Sequence, residues 1–160
     1  MAAHRNYEPV IHTRLAALVE GKFLLAADLA EGLSSGDSLQ LQFHIDRPEI
    51  TLDKTTALAR WDNGAGLTVT TTAAHPTLLP GKVSDRRDVC RDSVIVRYQM
   101  ENCRPAEAFA TVLYPWMGEE APRVEGLAVK ILEEDGAKTA LATFSIQGQH
   151  YEFTVKGGRP

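Results

Sequence analysis

The sequence has no long apolar run. None of its hydrophobic stretches approaches the ~18 to 20 residues that a membrane-spanning helix needs, so no membrane partner is expected. The amino-terminal MAAHRNYEPVIH also lacks the apolar core of a secretory signal. A chain cut from a longer protein would look the same. Excess charge of one sign is missing too. A net charge of −4 and a pI near 5.7 give no electrostatic reason to expect nucleic acid as a partner.

Cysteine is scarce. Cys90 and Cys103 flank the segment DSVIVRYQMEN. If that segment is one extended strand, a rise of ~3.3 Å per residue puts them roughly 40 Å apart, whereas a disulfide needs Cα atoms within ~7 Å. Two free thiols are expected. No histidine accompanies them at ligand spacing, which argues against a zinc module. Several catalytic signatures are missing as well: no Gly-x-Ser-x-Gly elbow, phosphate-binding glycine loop, HExxH or Rossmann fingerprint. Glu119 and Glu120 are adjacent, but adjacency does not aim two carboxylates at one glycosidic bond.

Helical periodicity is nearly absent, and alternation with period two takes its place. In SLQLQFHID (38–46), Leu39, Leu41, Phe43 and Ile45 share one face, while Gln40, Gln42, His44 and Asp46 share the other. Further alternating runs lie at 49–53, 56–61, 66–72, 93–100, 108–114, 126–132, 139–146 and 151–156. The pairs Glu20-Gly21, Asn63-Gly64, Asp135-Gly136 and Gln147-Gly148 separate such runs as hairpin turns do. The reading is one all-β domain over 1–160, an antiparallel β-sandwich of roughly 10–11 short strands with little or no helix. The segments 73–92 and 115–123, rich in proline and charge, read as surface loops.

Three groups of residues are candidates for chemistry. His12, Asp28 and His44 are of the types that bind a divalent metal, and a metal-dependent enzyme using them is one reading. The alternative follows from register. A turn at 20–22 pairs Val19 with Phe23, Ala17 with Leu25 and Arg14 with Asp28, giving a cross-strand ion pair with His12 one step further out, opposite Ala30. The second group is cationic: Lys82, Arg86, Arg87, Arg91, Arg97 and Arg104. Guanidinium forks suit carboxylate or sulfate groups, although Asp85, Asp88, Asp92 and Glu101 are interleaved with them. The third group is aromatic: Tyr114 and Trp116 around Pro115, and Trp61 at a strand end. These residues could stack on sugar rings or simply pack.

The order of features resembles a segment of heparinase II/III-like polysaccharide lyases. The run VIHTRLAALVEGKFLLAADLAEG leads into LQLQFHID, which places Arg14, Asp28 and Phe43-His44 as in that family. The Ser84-bearing segment and AFATVLYPW (108–116) continue the likeness. The resemblance implies a β-sandwich that follows a helical α/α toroid in enzymes cleaving acidic polysaccharides by β-elimination. It also implies that the catalytic and metal-binding motifs, among them a Gly-His-x-Asp stretch, lie earlier in the whole protein. This chain has no such motif, and Arg87-Asp88 stand where the family has Tyr-Gly. No catalytic residue is therefore carried over.

The expectations are a non-catalytic β-sandwich portion of such a lyase, with no cofactor of its own. Its partners would be an acidic polysaccharide, the missing toroid, or a second copy through an exposed strand edge. If the parent is a lyase, its compartment is the periplasm or the exterior. Arg86, Arg87, Arg91, Tyr114 and Trp116 are the substrate-binding candidates. A stand-alone carbohydrate-binding or structural sandwich is the competing class.

Overall fold

The computed structural model describes residues 2–7, 9–46, 49–73, 75–86 and 89–157, without the side chains of 2–7, 85 and 86. Among the described residues it is entirely strand and turn: β1 (Ala2–Tyr7), β2 (Val10–Val19), β3 (Phe23–Glu31), β4 (Leu39–Ile45), β5 (Glu49–Asp53), β6 (Thr56–Arg60), β7 (Ala65–Thr71), β8 (Pro76–Arg86), β9 (Val89–Met100), β10 (Ala106–Met117), β11 (Val124–Glu134), β12 (Ala137–Ile146) and β13 (Gln149–Lys156). All pairings are antiparallel, as expected.

The hairpin chemistry is local. Asp135-Gly136 and Gln147-Gly148 are two-residue loops in which both residues have positive φ (50° and 75°, 51° and 79°). That conformation matches the right-handed twist of the flanking strands and favours glycine at the second position.

The strand count exceeds the expected 10–11, mainly because of β1 and β8. The 73–92 segment is not a loop: β8 and the start of β9 occupy most of it. Its prolines, Pro76 and Pro80, lie within β8. They are tolerated because β8 is the edge of its sheet, in the order β4-β9-β8, where a missing N–H need not break a ladder. The 115–123 loop also begins later. Beyond Leu113, β10 pairs with β7 alone, and Pro115 and Trp116 continue the strand there.

Seven strands, in the order β1-β2-β3-β10-β7-β6-β5, form the central sheet. On one face, Phe23, Leu25, Ala27 and Leu29 of β3 and Ala108, Ala110 and Val112 of β10 pack against Ala140, Ala142, Phe144, Ile146 and Val155 of the β11-β12-β13 sheet. On the other face, Ala57, Ala59, Val69 and Phe109 pack against Leu41, Ile45, Val96 and Tyr98 of the β4-β9-β8 sheet. Each such burial stabilises by about 1.5–3 kcal/mol for a large apolar side chain.

The two covering sheets are offset. The β11-β12-β13 sheet lies over β2, β3 and β10, and the β4-β9-β8 sheet lies mainly over β5, β6, β7 and β10. Each therefore leaves one flank of the central sheet open, on opposite faces. Between that open flank and the edge strand of the covering sheet runs a groove.

Candidate functional site

The groove beside β4 contains the Arg14–Asp28 pair. The β2–β3 register sets Arg14 opposite Asp28 and His12 opposite Ala30. All four lie on the face of the central sheet that carries Phe109, because Phe109 pairs with Asp28. Asp28 is fully buried. Its Oδ1 accepts a hydrogen bond from Arg14 Nε at 2.6 Å and is 2.6 Å from His12 Nε2. Its Oδ2 is also buried, with no hydrogen-bond partner among the described residues.

A carboxylate in low dielectric is tolerated only when paired, and Arg14 supplies the charge. The Arg14 side chain stays 46% exposed and lines the groove. The pocket there has a volume of about 680 Å³ and is lined by His12, Arg14, Asp37, Ser38, Gln40 and Phe109 among others. The far wall is fixed by its own backbone: Asp37 Oδ2 accepts from Ser34 N at 2.7 Å, and Asp37 O from Cys103 N at 3.1 Å.

This is an Arg-on-carboxylate arrangement. The buried Asp28 fixes the orientation of Arg14 and holds the His12 ring, leaving a pre-oriented fork that suits an anionic or hydroxylated ligand. It does not suit a metal. Arg14 brings a cation to the same oxygen that His12 approaches. His44 lies on the outward face of β4, exposed, while its neighbours Leu41 and Ile45 point to the core. Among the described residues no three His, Cys, Asp or Glu side chains are grouped to hold an ion. The reading of His12, Asp28 and His44 as one site is thus corrected: two of the three meet, and strand alternation turns the third away. The His12–Asp28 contact was legible only as a diagonal neighbour on the same sheet face.

The cationic cluster resolves largely into local pairs. Lys82 bonds Asp92 across the β8–β9 hairpin, and Arg91 reaches Asp46 at 2.9 Å. Arg104 holds Glu107 through Nε (2.9 Å) and Nη2 (3.0 Å). This keeps the Glu107 carboxyl below the usual carboxylate range despite its burial. Arg97 Nε is buried with no partner among the described residues. Arg86 lies on β8 with its side chain undescribed, and Arg87 lies outside the described residues.

The aromatic candidates each make packing or hydrogen-bond contacts. Tyr114, half-buried against the core, stacks on Phe23 at 5.5 Å. Trp61 donates its Nε1 hydrogen to Asp46 O at 2.8 Å. Trp116 lies flat over Gly66, its cross-strand partner, with the Arg60 guanidinium 4.9 Å from the ring centroid. Tyr114, Pro115 and Trp116 also line a pocket of about 470 Å³ with Glu120 and Arg123. Cys90 is exposed and Cys103 buried, both free, as expected.

The architecture defines an all-antiparallel β-sandwich in which two small sheets cover opposite faces of a large one. Solved chains with this fold include heparinase III proteins. One is the heparinase III BT4657 gene product, with a TM-score of 0.79 and 18% identity over 96% of this chain and 25% of that one. Another is the heparan sulfate lyase HepC of Pedobacter heparinus, with a TM-score of 0.76 and 19% identity over 99% of this chain and 26% of that one. A third heparinase III matches at a TM-score of 0.73 and 18% identity, over 96% of this chain and 25% of that one. At these identities the likeness is one of fold. The chain spans about a quarter of the length of these structures. No protein-family model matches it, and no curated protein does.

Proposed function

We propose that the chain is the later β-sandwich portion of a heparinase-like polysaccharide lyase, lining an acidic-polysaccharide cleft without cleaving substrate alone. The observation that carries this reading is the superposition of 96–99% of the chain on one quarter of lyase structures. The groove at Arg14 supports the lining role, because a fork held by a buried carboxylate is oriented before a uronate or sulfate arrives. β-Elimination also needs a base at the C5 proton of the same sugar and neutralisation of its carboxylate. The described tyrosines do not help there: Tyr98 is in the core, and Tyr114 and Tyr151 pack on the opposite face of the central sheet. The parent would be secreted or periplasmic, and the chain would meet a helical toroid through one of its open faces. Any metal would belong to the parent.

The isolated chain is incubated with heparan sulfate and with a polyuronate while the ultraviolet absorbance of unsaturated product is followed. Binding is measured in parallel by calorimetry. No turnover is expected, with heparan oligosaccharide binding weakened about tenfold by Arg14→Ala, the loss of one charge-assisted hydrogen bond. Arg86→Ala and Arg87→Ala report separately on the β8–β9 hairpin. Robust turnover sinks the non-catalytic claim, and indifference to every acidic sugar sinks the lining role.

A further inference from the structure

The second groove lies on the opposite face, beside edge strand β11, over β5, β6 and the near side of β7. Its floor follows from register. Asp53, Thr56 and Thr70 form one cross-strand row, and Thr51, Leu58 and Thr68 the next. The loop after β10 closes one side. It is pinned by Arg60 Nη2 donating to Glu119 O at 2.5 Å and by Gly118 N donating to Gly64 O at 3.1 Å. The open groove has a volume of about 830 Å³, within the roughly 300–1,000 Å³ of small-molecule sites.

The floor is short of hydrogen-bond partners. Thr68 is 1% exposed, and its Oγ1 has no partner among the described residues. Thr56 and Thr70 share one bond between their hydroxyls at 3.0 Å, which leaves one of their two hydrogens to be donated elsewhere. A buried hydroxyl without a partner costs about 1–3 kcal/mol, so the matching occupant both donates and accepts. The rim selects further. Asp53, Glu119, Glu120 and Glu125 outnumber Arg60 and Arg123, so an anionic ligand is disfavoured while carboxylates stand ready to accept from hydroxyls. Leu58, Val124 and Pro122 add C–H surface. Hydroxyls below, acceptors around and apolar patches between match the surface of an uncharged sugar.

We infer that this groove is a binding site for a neutral, polyhydroxylated ligand, a short uncharged oligosaccharide, separate from the Arg14 groove. The site does not depend on the lyase reading.

The test is methyl NMR of the whole chain titrated with cellohexaose, with maltohexaose and, as the charged arm, with hexagalacturonate. A neutral hexasaccharide is expected to shift the methyl signals of Leu58, Thr68, Thr70 and Val124 together, and hexagalacturonate to leave them unmoved. Thr68→Val keeps the shape and removes the unpaired hydroxyl. It is expected to weaken neutral-sugar binding about 3- to 10-fold while leaving the unfolding midpoint unchanged or raised. Glu125→Ala, at the solvent-exposed rim, gives a second weakened variant whose fold is not in question. The inference is overturned if neither neutral sugar moves the groove methyls, or if hexagalacturonate moves them equally. It is also overturned if Thr68→Val lowers the midpoint without affecting sugar binding, the signature of a hydroxyl satisfied by structural water.

Discussion

Replacing Asp28 by Asn tests whether the buried carboxylate organises the β2–β3 face. Oδ1 accepts from Arg14 and approaches His12, each at 2.6 Å. Hydrogen bonds involving charged groups contribute about 1.5–3 kcal/mol each. Arg14 is nearly half exposed, so solvent screens its share. Against this, the substitution relieves the desolvation of a fully buried charge, itself several kcal/mol, and Asn keeps an acceptor oxygen.

The balance is a loss of about 2 kcal/mol, a fall in Tm of about 4–8 °C for a chain of this length. Guanidinium unfolding should show a lower midpoint at unchanged slope. Asp28→Ala, which leaves Arg14 and His12 facing a void, should cost more, about 3–5 kcal/mol. A double-mutant cycle with Arg14→Ala should return a coupling above about 0.5 kcal/mol. Should Asp28→Asn prove as stable as the parent, or stabler, burying the charge costs more than its two partners return. The pre-oriented fork would then have no energetic basis.

Two other substitutions test the structure elsewhere. A Cβ on Gly66 would sit 2.2 Å from Cε2 and Cζ2 of Trp116, so Gly66→Ala should displace the indole, alter tryptophan emission and cost about 1–3 kcal/mol as overpacking does; unchanged emission and stability would refute the stacking. Glu107 is held below its ordinary pKa chiefly by its side-chain bond from Arg104, with burial opposing. A lowered folded-state value stabilises above the unfolded pKa and is lost as pH falls through the folded one. Arg104→Ala should therefore show a stability deficit at neutral pH that closes on acidification, measured by denaturant unfolding at several pH values; a deficit constant with pH would refute the linkage.

The fold was legible because strand alternation and turn chemistry are local. Gln147-Gly148 and Asp135-Gly136 announce two-residue hairpins, and counting back from the 20–22 turn puts Arg14 opposite Asp28 before any coordinates are known. What could not be read depends on which strands become neighbours. Pro76 and Pro80 look like loop residues until β8 is known to be an edge strand. His12 meets Asp28 diagonally, whereas His44 has the right chemistry on the wrong face of a different sheet. That Trp116 covers Gly66 and meets Arg60 depends likewise on the β7–β10 pairing, which is not local.

The placement of both grooves follows from one strand. From Ala106 to Val112, β10 is buried without interruption, the mark of a strand covered on both faces. Ala108, Ala110 and Val112 serve one covering sheet and Phe109 serves the other. Burial on both faces extends to its neighbours, over Ala27–Ala30 of β3 and Thr68–Thr71 of β7, and gives way on the strands beyond them. A once-covered strand places every second side chain on the open face, where polar residues incur little desolvation cost. Toward β2 those positions hold His12 and Arg14, anchored by a buried Asp28 from the next strand. Toward β6 and β7 the opposite face holds Thr56, half-buried, and Thr68 and Thr70, both buried. The first flank offers a charged fork and the second a bed of hydroxyls, so the chemistry of each groove is set by which face of the central sheet its covering sheet leaves bare.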